Sequence, residues 1–300
     1  MPIRTMTGIV YLNGRFVAAR DARVSAFDRG FLYGDGLFET VRAYRGAVFA
    51  LNEHFARLRA SAAWLGFALP PVDWPRAIHA LLRRNRLLAC DASVRLTVTR
   101  GAGRPGLVPP RECRPTVLMV TARIDPGVAQ AQRRGVRVVL LPFARDPVFG
   151  GHKLLDYVPA IRGRMIAQRA RAFEALYVDS RKRLSEGTTS NLFIVRRRQL
   201  ITPPLGRAEG VLPGVTRRVV IDLARANGLV VRERHLRAAD LLAAEEAFCT
   251  SALVEVLPIV RAGTHRIGTG RPGPIARALL RAYRERATQF PADKSSPTSC

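Results

Sequence analysis

The hydrophobic period of this chain switches back and forth along its whole length. Short strand-like runs alternate with helical runs that carry their own start and stop signals, without an internal repeat or a long linker. Such a chain is confined to an α+β class. Ile9-Val10-Tyr11-Leu12 leads into Asn13-Gly14, a hairpin turn signal. Arg23–Phe27 alternates and reads as a strand, and Val48-Phe49-Ala50 reads as another. Asn52 is placed to cap a helix to about Trp64, with Phe55, Leu58 and Ala62 on one face and Gly66 as its stop. Asp73 is placed to cap a second helix, with Pro75 in its first turn, ending near Leu88. Ser93–Thr99 and Thr116–Thr121 read as strands around Arg100–Gly106, a loop too rich in glycine and proline to be helical throughout.

A second set begins with the apolar strand Val136–Leu141. Val158–Phe173 has a helical pattern, and Ala175–Val178 and Asn191–Val195 read as strands. Pro213 opens a helix to about Ala226, with Gly228 beyond it. Glu246–Thr250 and Val254–Val260 read as strands, and Pro274–Ala287 as a last helix. The expected division is a small N-terminal α+β domain over 1–126, a larger one over 127–288 and a disordered tail over 289–300. A chain of 300 residues has enough apolar side chains for two cores, and a site between domains is a common arrangement. No apolar run is long enough to span a bilayer, and the opening MPIRTMTG has no signal-peptide pattern. The cysteines, Cys90, Cys113, Cys249 and Cys300, are far apart and suit a reducing cytoplasm. The five histidines are scattered without metal-ligand spacing, so no metal is expected.

Lys and Arg together number 49 against 23 acidic residues, a net charge of +26. Such a surface attracts polyanions, and a polyanion-binding protein is the reading from another functional class. The basic residues are spread along the chain without interleaved aromatics, which favours a general preference for arginine over a specific nucleic-acid site. Only three are lysines: Lys153, Lys182 and Lys294. Lys182 lies in a charged turn and Lys294 in the polar tail, whereas Lys153 sits between Gly150-Gly151-His152 and Leu154-Leu155. An amine can lose its proton and act as a nucleophile, which a guanidinium cannot do. A chance lysine on a loop remains open from composition alone.

Three more segments stand out. In Leu184–Asn191 a single carboxylate, Glu186, lies among hydroxyls beside an apolar strand. It suits a protonated ring nitrogen or a hydroxylated ligand, and equally an ordinary solvated turn. Leu212-Pro213-Gly214-Val215-Thr216-Arg217 describes a helix N-terminus suited to phosphate, although plain helix initiation is the commoner case. Arg57 borders an apolar helix face and either reaches inward to an anion or snorkels to solvent. There is no G-x-S-x-G, P-loop or H-E-x-x-H motif.

In order and spacing these segments resemble the class IV aminotransferases, pyridoxal-phosphate enzymes of fold type IV. The match runs from Ala26–Glu39 through His54–Leu58, His152–Tyr157, Ser185–Gly187 with Ser190–Phe193, and Leu212–Arg217, to Glu246–Ser251. It covers nearly the whole chain. The resemblance implies pyridoxal 5'-phosphate held as an internal aldimine on Lys153, which then carries a proton between Cα and the cofactor. It implies Glu186 on the pyridinium nitrogen, Arg57 with Val215 and Thr216 on the phosphate, and Tyr157 near the ring or its phenolic oxygen. Members often have a phosphate-binding Thr or Ser where Ala252 aligns, and Thr250 and Ser251 lie beside it to substitute. Asp156 stands where many members have Asn.

For the substrate, Pro105 and Leu107 align with the Arg-x-His pair of D-amino-acid aminotransferases, and the loop lacks the Gly-Gly-Arg-Gly-Tyr form of aminodeoxychorismate lyases. Gly106-Leu107, Pro109 and Cys113-Arg114-Pro115-Thr116 resemble the microbial branched-chain aminotransferases. That resemblance implies a branched-chain or similar apolar L-amino acid as donor and 2-oxoglutarate as acceptor. Phe31, Tyr33 and Phe38 are expected to form an apolar pocket, and Arg95 or Arg104 to meet a carboxylate. A homodimer is expected from the family.

Overall fold

Asn13 and Gly14 both take positive φ, 48° and 88°, the backbone that a two-residue hairpin turn requires. They join β1 (Ile9–Leu12) to β2 (Arg15–Ala18), with Leu12 opposite Arg15. This computed structural model describes residues 8–110, 112–206 and 209–289, so the expected tail lies outside the described residues beyond Gln289. The chain divides into two compact units. One holds the chain to Ile124 together with Lys153–Leu155, and the other holds Asp125–His152 and Asp156–Arg286.

In the first unit β3 (Gly36–Tyr44), β4 (Ala47–Val48), β5 (Ala92–Thr99) and β6 (Thr116–Arg123) complete an antiparallel sheet in the order β2-β1-β6-β5-β3-β4. β3 and β5 pair without a break from Gly36–Thr99 to Ala43–Ala92. The helices are α1 (Arg29–Tyr33), α2 (Leu51–Leu65) and α3 (Trp74–Arg84). Leu37, Val41 and Ala43 of β3 meet Phe55, Leu58 and Ala62 of α2 and Ile78, Leu81 and Leu82 of α3 in one core. Each large side chain buried there contributes about 1.5–3 kcal/mol.

Four local expectations change. Val48-Phe49-Ala50 is a strand only at Val48, where β4 ends, and Ala50 is already the N-cap residue of α2. Arg23–Phe27 is an exposed loop and turn, not a strand, because the Ser25 hydroxyl accepts the Phe27 amide at 3.1 Å and bends the chain. Asn52 lies inside α2, whose N-cap is Ala50 with φ 53° and no side-chain cap. α3 ends at Arg84, four residues before Leu88, whereas Asp73 does cap it by accepting the Arg76 amide.

Lys153–Leu155 folds onto β3. The Phe38 amide donates to the Lys153 carbonyl at 3.0 Å, Leu154 bridges Leu37, and the Leu155 amide donates to the Gly36 carbonyl at 3.1 Å. The sequence reading placed this segment within 127–288. Its backbone partners belong to the first unit because β3 offers it an edge of unpaired peptide groups.

The second unit is built on a ten-stranded sheet of β7 (Val136–Leu140), β8 (Glu174–Val178), β9 (Arg183–Gly187), β10 (Asn191–Arg196), β11 (Gln199–Thr202), β12 (Val230–Glu233), β13 (Leu236–Arg237), β14 (Glu246–Ser251), β15 (Glu255–Ala262) and β16 (His265–Arg266). β7 pairs in parallel with β8 and β15, and β11 with β12; the other pairs are antiparallel. Six strands close on themselves in the order β10-β14-β15-β7-β8-β9. The closing pair is Asn191 opposite Glu186. Inside the ring Leu176, Leu184, Leu192, Ile194, Cys249 and Leu257 pack together, each buried. The helices are α4 (Gly127–Arg134), α5 (Pro147–Gly150), α6 (Val158–Arg169), α7 (Val215–Ala226), α8 (Ala238–Leu242) and α9 (Pro274–Thr288). α6 stops short of Phe173 because Arg171 turns the chain with φ 51°. Both units mix helices and strands, in keeping with the α+β class.

Candidate active site

β3 alternates its side chains, sending Glu39 towards α2 and Phe38 to the opposite face. Glu39 is 1% exposed. Arg57, on α2, lays its fork on this carboxylate, with Nε donating to Oε1 and Nη2 to Oε2, both at 2.7 Å. His54, one turn earlier, places Nδ1 2.8 Å from Oε2. Burial opposes ionisation of Glu39, but Arg57 and His54 outweigh it and bring the pKa down to about 2. Burial lowers the pKa of His54 despite Glu39, and the charges of Arg57 and Lys153 lower it further. Arg57 therefore does not snorkel: its guanidinium plane is set by a buried acid. The sequence reading missed Glu39, although a lone carboxylate in the apolar strand Gly36–Tyr44 was a visible signal.

On the other face of β3, two cations share the Phe38 ring. The Arg95 guanidinium carbon lies 3.7 Å from its centroid and the Lys153 amine 4.6 Å. Arg95, on β5, stands opposite Thr40 of β3 and is the diagonal neighbour of Phe38. Three of the expected residues, Phe38, Arg95 and Lys153, thus come together. Phe31 and Tyr33 lie on α1, 76% and 40% exposed, and Arg104 lies exposed on the loop after β5. The Tyr33 hydroxyl accepts the Gly106 amide at 2.9 Å.

That loop is held by a network the sequence reading did not assign. Asp35 accepts Arg29 Nε at 2.8 Å and Arg100 Nε at 2.7 Å, and Arg29 also donates to the carbonyls of Gly106 and Leu107. Burial works against the Asp35 charge, but the two guanidiniums keep its pKa below the usual range.

In the second unit Glu186 lies on β9, 2% exposed, and not in the solvated turn that the sequence left open. Its Oε2 accepts from Asn191 Nδ2 and from the Leu212 amide, both at 3.0 Å, and its Oε1 accepts from Arg145. Asn191 also donates to the Leu212 carbonyl at 3.0 Å, so the closing strand pair grips the segment that opens α7. Glu174, at the start of β8, holds the β9–β10 turn. Its carboxylate accepts from the Thr188, Thr189 and Ser190 hydroxyls and from three backbone amides. Tyr157 precedes α6 as its N-cap residue and lies close enough to Arg145 to act on its charge.

α7 begins at Val215 with Gly214 as N-cap and no side-chain cap, and Thr216 is buried in its first turn. A Cβ on Gly214 would lie 2.0 Å from Asn191 Oδ1, so only glycine lets this helix start against the closing strand pair. Thr250, paired with Asn191 across β10 and β14, is 1% exposed, and its Oγ1 has no hydrogen-bond partner among the described residues. A buried hydroxyl without a partner, next to an uncapped helix N-terminus, fits an anionic group. Ser251, the next residue, has its Oγ 3.5 Å from the Val254 amide. Among the described residues no group of three or more His, Cys, Asp or Glu is placed to hold a metal ion.

In the second unit an uncapped helix N-terminus suited to phosphate lies near a buried carboxylate. In the first unit an amine is held on an aromatic ring, and each of these is a feature that pyridoxal-phosphate chemistry uses. Residues 36–262 match the family described as Amino-transferase class IV, and the chain belongs to it. It is 37% identical over 284 residues to a "Putative branched-chain-amino-acid aminotransferase" of Methanocaldococcus jannaschii, covering 94% of this chain and 97% of that one. It is 31% identical to a D-alanine aminotransferase of Bacillus licheniformis, covering 91% and 95% of the two chains. It is 30% identical to an aminodeoxychorismate lyase of Bacillus subtilis, covering 92% and 94%. Among solved structures, a T.th. branched-chain amino acid aminotransferase with pyridoxamine 5'-phosphate superposes with a TM-score of 0.85 at 30% identity, covering 95% and 96%. The Escherichia coli branched-chain enzyme gives 0.86 at 27% identity, covering 97% and 98%.

Proposed function

We propose that this aminotransferase moves the amino group of a branched-chain or similar apolar L-amino acid to 2-oxoglutarate, acting as a cytoplasmic homodimer. The observation that carries the substrate reading is the Phe38 ring with Arg95 and Lys153 over it. The ring gives an apolar side chain a wall, and Arg95 gives the second carboxylate of the acceptor a counter-ion. Similarity to branched-chain enzymes supports the same reading.

Pyridoxal phosphate, when bound, supplies the electron sink for the charge left on Cα as its proton departs. Lys153 would hold the cofactor covalently, then carry that proton as a neutral amine. Glu186 would hold the proton on the ring nitrogen. The Val215 amide, the Thr216 and Thr250 hydroxyls, Ser251 and Arg57 would bind the phosphate, and Tyr157 would orient the ring. Phe31, Tyr33 and Arg104 would shape the substrate side from α1 and its neighbouring loop.

The test is a visible spectrum of the purified protein with pyridoxal phosphate, before and after L-leucine, followed by turnover with 2-oxoglutarate. Bleaching by L-leucine and glutamate formation support the proposal. Bleaching by D-alanine alone moves the donor to D-amino acids, and pyruvate release from aminodeoxychorismate without an oxo-acid acceptor identifies a lyase.

A further inference from the structure

Arg145 was not singled out in the sequence, yet it is one of the most constrained charges in the second unit. Only 23% of its side chain is exposed. One arm, Nη1, donates to Glu186 Oε1; the other, Nη2, donates to the carbonyl of His152 at 3.0 Å. His152 immediately precedes Lys153. One planar fork therefore ties the carboxylate assigned to the ring nitrogen to the peptide group that leads into the amine. A guanidinium is suited to this because its two arms are rigid relative to each other.

We propose that Arg145 is a positioning residue for the cofactor: it sets the place of Glu186 against the backbone that carries Lys153, and its fixed charge tunes how readily groups on the cofactor hold protons. This rests on the pyridoxal-phosphate reading of Glu186 and Lys153. Glu186, Tyr157 and Tyr177 act on Arg145, and Arg145 acts in turn on His152. Burial pushes the Tyr177 phenol up to about 12, leaving it neutral across the working range. Burial, and then Arg145 itself, lower the pKa of His152. Arg145 and Glu186 accordingly face each other as a directly bonded pair of opposite charges. Other residues already hold Glu186 in place, since Asn191 and the Leu212 amide both donate to its second oxygen. Loss of Arg145 thus leaves the carboxylate anchored at Oε2 but without this guanidinium at Oε1.

The experiment compares wild type, Arg145→Met and Arg145→Lys as full-length proteins loaded with pyridoxal phosphate. Cofactor affinity is measured by equilibrium dialysis, the visible band is titrated with pH, and folding is followed by circular dichroism. Arg145→Met removes both arms and the charge. It should bind the cofactor about tenfold or more weakly and move the midpoint of the visible band upward, because a nearby positive charge no longer disfavours protonation. Arg145→Lys keeps the charge but not the fork, so its affinity should fall while its midpoint stays near that of wild type. A merely structural arginine would lower thermal stability without moving the midpoint. Wild-type affinity and midpoint in a folded Arg145→Met overturn the proposal; if that variant does not fold, wild-type affinity in Arg145→Lys does so. If the wild type itself takes up no cofactor, the functional reading fails first, and the Arg145 proposal with it.

Discussion

Glu39 shows how one residue governs both stability and pH response. Its pKa of about 2 lies below the ordinary carboxylate value of 4.5. The unfolded chain therefore binds a proton that the folded chain does not as pH falls through this window. Stability from the Glu39 group is fully present above about pH 4.5 and is lost towards pH 2, by about 3 kcal/mol in total. Glu39→Gln should flatten the acid limb of stability, measured by urea unfolding from pH 6 down to about 2. It should also cost about 3–5 kcal/mol at neutral pH, because Arg57 is left without its buried counter-charge. A Glu39→Gln curve parallel to wild type would show that the ion pair does not control the acid limb. At Lys153 the expectation is chemical. Lys153→Ala should lower transamination by at least about a thousandfold while circular dichroism stays unchanged. Lys153 was a candidate in the sequence because a lysine stood out in an arginine-rich chain. Glu39 and Arg145 were not singled out, because their roles arise from partners 18 and 41 positions away.

At the scale of elements, the start of α7 depends on a strand pair rather than on its own sequence. Gly214 has φ −67°, which any residue adopts, so its glycine is required by space and not by backbone strain. Gly214→Ala should push Asn191 off the Leu212 carbonyl and weaken cofactor binding by about tenfold or more; a dissociation constant equal to that of wild type would refute this. The turn between β9 and β10 depends in the same way on Glu174. Glu174→Ala leaves the Thr188 and Ser190 hydroxyls and several amides without their acceptor. It should destabilise the protein by about 3 kcal/mol or more in thermal or denaturant unfolding. Most elements followed from period and capping: β1, β5, β6, β7, β10 and α9 lie where alternation and Pro274 placed them, and α3 starts where Asp73 placed it. Arg23–Phe27 has the alternation of a strand without a partner, and propensity alone does not supply one. Glu186 looked like part of a polar loop because β9 is only five residues long and mostly polar. Its burial comes from closure of the strand ring.

For the whole molecule, the charge of +26 sets behaviour towards polyanions. Retention on heparin should fall steeply with salt and be the same for Lys153→Ala, because it reports diffuse charge and not the site. Retention that persisted at high salt would point to a built nucleic-acid site. Phe27, Phe31, Leu107 and Val108 are 59%, 76%, 84% and 87% exposed in the first unit, which suits the proposed homodimer. Phe31→Asp should shift sedimentation towards the monomer, and an unchanged dimer would remove this face from the interface. From the sequence alone came the α+β class, written in period and caps, and, through short motifs in a set order that resemble class IV aminotransferases, the family, the cofactor and the proposal of Lys153, Glu186 and Arg57 as site residues. The tertiary structure alone decided that Arg57 lies on Glu39, that Arg145 joins Glu186 to the His152 carbonyl, and that Lys153–Leu155 pairs with β3. Each of these is a contact between residues distant in the chain. Burial makes the match of charge and hydrogen bond obligatory there, and no local pattern encodes which partner will supply it.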